Sequence, residues 1–533
     1  MSGVGKGVTT SAIALLLKSR GLRMTALKID PYINVDAGTM NPTEHGETFV
    51  LASGLETDQD MGNYERFLGQ SLPPQNYMTT GSIYQAVIEK ERNLEYQGKC
   101  VEVVPDIPLE VIRRIKAAAS LAKADVVTIE VGGTVGEYQN ILFLEAIRMM
   151  KSEAPEDVVT IMVSYLPVPG SIGEMKTKPT QTAVRTLNSA GVFADMIIAR
   201  SSAAIDAKRK QKIALFCNVP AERVISAPDV ASIYDIPLHF ETEQLSEKLC
   251  QLLRLQNALP KADLAAWKKF VKRSKSTTQT VKIAVVGKYF NSGDFVISDV
   301  YLSVLEALKY SAYALGLKPK ITYLGAHDFI DKARCQELKD YDGILVPGGF
   351  GASGIEGKLN VIEYARKEKI PYFGICYGMQ LAVVEYARNV ALLKGAHTTE
   401  IAKDTPYPVV AVMPGQAELL KKNALGGTMR LGAYSATLKK GSILARAYKT
   451  TAITERHRHR YEVNPEYVAK LEAAGLIFSG ASSVDALKES IELPVSVHPF
   501  FVGVQYHPEL VAAPLAPHPL FTAFLKAAAL TKP

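Results

Sequence analysis

Short, uninterrupted apolar runs recur along this chain, each followed by a longer stretch with helical spacing. In the first half they fall at residues 24–29, 125–131, 158–165 and 195–199, and residues 9–20 read as a helix that stops at Gly21. In the second half they fall at residues 281–287, 342–347, 371–375 and 501–505, with residues 300–315 as an intervening helix. Strands that are apolar at successive rather than alternate positions are buried on both faces. Such strands need helical crossovers above and below a mostly parallel sheet. The pattern predicts an α/β protein with two domains, each built on a mostly parallel sheet flanked by helices. Ligands of such sheets bind at the carboxyl ends of the strands.

The domains divide near residues 259–281, a basic stretch with Lys261, Lys268, Lys269, Lys272, Arg273 and Lys275 around the single Trp267. It reads as a solvated basic helix joining a domain at 1–258 to another at 282–533. Apolar residues at 47% and charged residues at 22% exclude wholesale disorder. Apolar runs fall short of the ~18–20 residues of a membrane helix, so no membrane is expected. The opening Met1-Ser2-Gly3-Val4-Gly5-Lys6-Gly7 resembles neither a signal peptide nor a transit peptide. Five cysteines without a Cys-x-x-Cys pair favour a cytoplasmic setting over a disulfide framework or metal cluster. A net charge of +7 suits an anionic small molecule, and no nucleic-acid partner is expected.

In the second half, the run at 371–375 leads into Cys376, which has Gly374 and Gly378 two residues away on either side. This is the spacing of a nucleophile elbow, where small neighbours let a strained strand-to-helix turn lift the side chain above the sheet. The helix N-terminus beneath favours thiolate. A second strand runs into His507-Pro508-Glu509, whose first and third residues face the same way on an extended segment. Glu509 can then orient His507 while His507 takes the Cys376 proton. A third strand ends in Pro347-Gly348-Gly349-Phe350-Gly351, whose freed amides suit an oxyanion hole.

In the first half, Gly3, Val4, Gly5, Lys6, Gly7 and Val8 precede an apolar helix in the manner of a phosphate loop. Gly7 stands where the common motif has Ser or Thr, and a bare segment of this kind is more often a flexible turn. Carboxylates support the phosphate reading. Glu56, Asp58 and Asp60 alternate in one loop, and Glu130 ends an apolar strand before Gly132-Gly133-Thr134-Val135-Gly136. A carboxylate at that place can hold Mg²⁺, which takes few protein ligands and keeps phosphate oxygens and waters. Lys176, Thr177, Lys178, Pro179, Thr180 and Gln181 put cations and hydroxyls in a loop suited to polyphosphate, with Arg200 and Lys212 downstream. Phosphate machinery thus stands beside a half built around a cysteine nucleophile.

The second half resembles the class I (Cys-His-Glu) glutamine amidotransferases through Pro-Gly-Gly-Phe-Gly, Gly-Ile-Cys-Tyr-Gly-Met-Gln and His-Pro-Glu. Nearly the whole chain resembles the CTP synthase family. That resemblance rests on 28–40, His45-Gly46-Glu47, 62–67, 132–136, 176–181, 214–219, 426–432 and 455–463. It implies a P-loop, dethiobiotin-synthetase-like synthetase domain in which ATP phosphorylates the 4-oxygen of UTP and ammonia displaces phosphate to give CTP. It implies that the Gly3 to Val8 loop, Lys28, Asp60, Pro228, Asp229 and Val230 bind ATP, and that Asp60 and Glu130 hold Mg²⁺. Ser2, Glu137, Tyr138, Gln139, Lys176, Thr177, Lys178, Pro179, Thr180, Gln181 and Lys212 would contact UTP or CTP. Gly349, Tyr377, Gly378, Met379, Gln380, Glu400 and Arg460 would grip glutamine around Cys376, His507 and Glu509. GTP as activator, CTP as inhibitor and a homotetramer are implied in the same way.

Three departures from the family pattern stand out. Glu137-Tyr138-Gln139-Asn140 replaces a common Asp-Ile-Glu-Ser, which puts pyrimidine contacts at Gln139 in question. Tyr377 replaces a leucine, and residues 413–426 form a shortened stretch. Phosphate loops normally follow a buried strand, so an apolar strand upstream of Ser2 is expected, along with a slot for it between neighbouring strands. Two alternatives remain: a cobyrinic-acid-type amidotransferase ligase, and a nucleotide-sensing or filament-forming protein without turnover.

Overall fold

The computed structural model describes residues 3–170, 173–255, 259–288, 291–292, 295–296, 299–412 and 429–530. Ser2, Gly426 to Thr428 of one family motif, and the stretch expected to be short at 413–426 lie outside them. The chain forms two compact units. One comprises Met1–Ala37 and Asn63–Val271, the other Gly38–Gly62 and Lys272–Pro533.

In the first unit, Met24–Asp30 is buried at every position and lies between Tyr77–Thr79 and Val126–Val131, all parallel. A second parallel sheet has the order Ile161–Tyr165, Met196–Ser201, Val224–Pro228. The edge strands Val126–Val131 and Ile161–Tyr165 are mostly half-buried. The expected first helix spans Lys6–Lys18 and starts at Gly5, whose φ of 80° is left-handed. Helices Val103–Leu121 and Ile141–Glu153 pack their apolar faces over Leu27, Ile29 and Met78.

The basic stretch is an amphipathic helix, Ala265–Ser276, and not a wholly solvated one. Its lysines face solvent. Trp267 is buried against Phe67, Tyr234 and Phe270, and its indole N–H donates to the Tyr234 carbonyl at 2.8 Å.

In the second unit, five parallel strands run in the order Lys318–Gly325, Thr280–Gly287, Gly343–Val346, Tyr372–Ile375, Phe501–Val504. Four antiparallel strands continue the sheet: Lys488–Glu492, Ile477–Ser482, Arg430–Leu438 and Ala452–His459. The expected parallel strands are all present, whereas sequence reasoning missed the antiparallel extension. Residues 38–62 pack with this unit. A Cβ on Gly432 would sit 2.6 Å from the Gly54 nitrogen, so the two backbones approach too closely for a side chain. All five cysteines are free thiols. Among the described residues no helix is long and apolar enough to cross a membrane.

Candidate active site

Three adjacent parallel strands, Gly343–Val346, Tyr372–Ile375 and Phe501–Val504, deliver their carboxyl ends side by side. The glycine loop follows the first, Cys376 the second and His507 the third. Cys376 has φ 51° and ψ −101°, a sparsely populated conformation for a residue with a Cβ, and caps helix Tyr377–Asn389. The turn is held from all sides. A Cβ on Gly378 would lie 2.1 Å from the Val346 carbonyl oxygen, and one on Gly374 would lie 2.7 Å from the Tyr372 hydroxyl. The Cys376 N–H donates to Val504 O at 2.7 Å.

Sγ of Cys376 lies 3.8 Å from the Arg458 carbonyl, and the Gln505 amide donates to it at 3.7 Å. His507 Nδ1–H donates to Glu509 Oε1 at 2.7 Å, and the His507 backbone N–H donates to Arg456 O at 2.7 Å. Burial works against the imidazolium, yet the Glu509 carboxylate and the Cys376 thiol outweigh it and raise His507 above its ordinary value. Nε2 of His507 is buried and makes no hydrogen bond within the described residues, and Cys376 is near enough to be one of the groups that raise the ring. A Cβ on Gly348 would meet His507 Cε1 at 3.0 Å and Cys376 Cβ at 3.7 Å, so the glycine loop lies directly against the pair.

Of the residues expected around glutamine, Glu400 accepts from the Gly351 N–H at 2.6 Å, and burial raises its carboxyl while Lys288 and Arg460 oppose that. Tyr377 is buried, and its hydroxyl donates to Gly351 O at 3.5 Å. Gln380 is buried and donates to Tyr461 O at 2.8 Å. Met379 is fully buried in the core, so its side chain is a packing element.

Sequence reasoning missed Gln505 and the Arg458 carbonyl. Gln505 was within reach, because it lies two residues before His507 on the same extended segment. The strand that supplies the carbonyls is steadied from both faces. Arg458 pairs with Glu56 at 2.7 Å, and Arg456 donates to Val50 O at 3.0 Å. His457 and His459 are hydrogen-bonded to each other at 2.8 Å, and burial holds both well below the usual histidine range.

In the first unit, Lys6 opens its helix and donates to the Gly133 carbonyl at 3.0 Å, which joins the two glycine-rich segments. A Cβ on Gly5 would lie 3.2 Å from Arg200 Nη1, and Arg200 Nη2 donates to Asp229 at 2.6 Å. Pro228 and Val230 line a small cleft with Thr9, Arg200, His239 and Phe240. Lys28 and Glu130 are register partners, and the Lys28 ammonium lies 3.0 Å from Glu130 and 3.5 Å from Asp30. The Tyr64 hydroxyl also donates to Glu130. Two buried carboxylates thus close on one cation at the carboxyl end of a strand, an environment that calls for positive charge. Tyr64 and Asp30 carried no role in the sequence reading, although both lie in the quoted motifs. Asp60, in the first turn of helix Gln59–Leu68, belongs to the second unit, and its N–H donates to Asp58 at 2.9 Å.

Glu137 accepts from the Thr134 N–H at 3.0 Å and from the Gln139 amide at 2.9 Å, which holds its carboxyl below the usual range. Tyr138 is almost fully exposed. Lys176 pairs with Glu174 at 2.6 Å, Thr180 and Ser164 hydroxyls meet at 2.8 Å, and Gln181 donates to Thr177 at 3.1 Å. Lys178, Pro179 and Lys212 face solvent. Among the described residues no group of three or more His, Cys, Asp or Glu is arranged to hold a metal.

Residues 1–255 match the family described as CTP synthase N-terminus, and residues 296–527 match glutamine amidotransferase class-I. The chain is 49% identical over 530 residues to a CTP synthase of Thermococcus kodakarensis, covering 99% of this chain and 97% of that protein. It belongs to the CTP synthase family. Pyrococcus abyssi has a CTP synthase 49% identical over 99% of this chain and 96% of its own length. A Methanosarcina barkeri CTP synthase is 47% identical, again over 99% and 96%. A solved Trypanosoma brucei CTPS glutaminase domain with bound acivicin is 37% identical, covers 48% of this chain and 95% of its own, and has a TM-score of 0.43. Membership of the CTP synthase family removes the corrinoid-ligase alternative.

Proposed function

We propose that this member of the CTP synthase family converts UTP to CTP, using ATP and ammonia released from glutamine, with the residues assigned below. The observation that carries the proposal is the Cys376–His507–Glu509 constellation at two adjacent strand ends, beside the glycine loop at a third, in a chain akin to CTP synthases over nearly its whole length.

His507 takes the Cys376 proton, and the thiolate attacks the glutamine carboxamide carbon. Backbone amides of the glycine loop around Gly349 and of Tyr377 receive the oxyanion. The C–N bond breaks as His507 returns the proton to the leaving nitrogen, and water then cleaves the thioester to glutamate. Glu400 and Arg460 are proposed to hold the amino-acid end of glutamine.

In the synthetase half, Lys6 and Lys28 are proposed to hold ATP phosphates, and Pro228, Asp229 and Val230 to line the adenine. The γ-phosphoryl group passes to the 4-oxygen of UTP, ammonia attacks C4, and phosphate leaves, giving CTP, ADP and phosphate. Glu130, with Asp60 by resemblance, would hold Mg²⁺, which neutralises charge developing on the phosphates. Lys176, Gln181 and Lys212 are the proposed UTP contacts. Assignment of synthesis to 1–258 and of glutamine hydrolysis to 282–533, with 259–281 between them, belongs to the same proposal. So do GTP activation, CTP inhibition, a homotetramer and a cytoplasmic setting.

The test is CTP formation with ATP, UTP, Mg²⁺ and either glutamine or an ammonium salt. Cys376→Ala should lose the glutamine-dependent rate while CTP formation with ammonium continues. Loss of both in a folded variant overturns this division of labour.

A further inference from the structure

Lys358 lies on helix Ile355–Lys367, the helix that follows the glycine loop. Its side chain is 0% exposed, and Nζ has no hydrogen-bond partner among the described residues. A lysine so placed is costly, because it gives up water without a replacement acceptor. The ammonium sits 5.5 Å from the centroid of the Tyr377 ring, within cation–π range. Tyr377 is the first residue of the helix that Cys376 caps. The charged or titratable groups coupled to Lys358 are Lys288, from the segment after Thr280–Gly287, and Cys376, from the nucleophile turn. Lys288 is itself coupled to Glu400. Burial and Lys288 push the Lys358 ammonium down to about 7, while Cys376 pulls the other way.

We infer that Lys358 is a positioning residue for glutamine hydrolysis: its buried ammonium holds the Tyr377 ring, and with it the first turn after the nucleophile, and favours the thiolate of Cys376. The inference rests on the reading of Cys376 as nucleophile. It gives the unpartnered amine a role and explains what an aromatic ring does at Tyr377, where the family pattern has leucine. Lys358 touches no substrate, and it acts through Tyr377 and through its field. That field is present while the amine is protonated and fades as pH rises beyond neutrality.

The experiment uses the full-length enzyme with Lys358→Met, which keeps side-chain length and removes charge. The readouts are the pH profile of Cys376 alkylation by iodoacetamide, glutaminase kcat and KM, and the melting temperature. Alkylation should slow about threefold to tenfold near pH 6, equivalent to moving the acid limb up by roughly 0.5–1 pH unit, and should converge with the parent near pH 9. Glutaminase kcat should fall more than KM changes. Melting should not drop, because an apolar chain replaces an unpaired buried amine. An unchanged acid limb overturns the inference, and so does a slowing equal at all pH values, which indicates packing alone. If Lys358→Met fails to fold, Tyr377→Leu serves. It keeps the amine but removes the ring, so it should lower kcat and leave the acid limb in place, and parental kcat overturns the inference. Cys376→Ala separates the two claims, since glutaminase surviving in that variant sinks the nucleophile assignment itself.

Discussion

Glu509→Gln isolates the charge of the third catalytic group. Glu509 Oε1 is 2.7 Å from His507 Nδ1, and its Oε2 has no hydrogen-bond partner among the described residues. The variant amide keeps an acceptor for Nδ1–H, so the main change is loss of a negative charge beside a buried imidazole. Opposite charges ~4 Å apart attract by about 4 kcal/mol at an effective dielectric of ~20. Part of this is regained by the amide dipole, leaving about 3 kcal/mol, or roughly a hundredfold in glutaminase kcat/KM. His507 is raised above its ordinary 6.5 to about 10, so its protonated form adds stability fully below the former and loses it through the latter. The variant lacks most of that contribution, so its melting-temperature deficit should be largest below about pH 6.5 and shrink towards pH 10. Initial-rate glutamine hydrolysis and melting curves across this range are the assays. A variant within threefold of the parent at neutral pH, with a pH-independent melting deficit, would refute the assigned role.

Asp60→Asn and Glu130→Gln should each suppress ATP hydrolysis and CTP formation across a Mg²⁺ titration and affect basal glutaminase less. Parental CTP rates in either variant would remove that residue from the metal assignment. Gly378→Ala forces a methyl to within 2.1 Å of Val346 O, so the turn must shift. The expected cost of at least about 2 kcal/mol corresponds to a melting drop of about 5 °C or more for a domain of this size. A melting temperature within about 1 °C of the parent would mean that the turn relaxes freely.

The nucleophile turn was legible in the sequence because its constraints are local. Gly374 and Gly378 are required by contacts with atoms of the same strand–turn–helix and its neighbour Val346. His507 and Glu509 meet through the two-residue repeat of extended backbone. The central parallel strands were equally plain, since burial on both faces leaves mostly apolar residues to read, whereas Tyr77–Thr79, Val224–Pro228 and Lys318–Gly325 were missed. The burial of Trp267 was missed although the periodicity that signals it is present. Leu264, Trp267, Phe270 and Val271 form a helical stripe, which the surrounding lysines obscured.

The harder cases are those in which charge itself is buried. Strand Ala452–His459 carries Glu455, Arg456, His457 and His459, all buried, so a rule equating polarity with exposure passes over it. The structure accommodates several of them by pairing across elements distant in sequence, such as Arg456 with the Val50 carbonyl and Glu455 with His518, and no local pattern announces those partners. Lys358 extends the point. Its helix runs so close to residue 326 that a Cβ on Gly357 would lie 1.8 Å from the Ala326 carbonyl oxygen. Glycine at 357 permits that approach, and the lysine beside it, over the Tyr377 ring, supplies the proposed field at Cys376. A neutral side chain at 358 would pack as well or better, so the charge makes physical sense only through what it does to its neighbours.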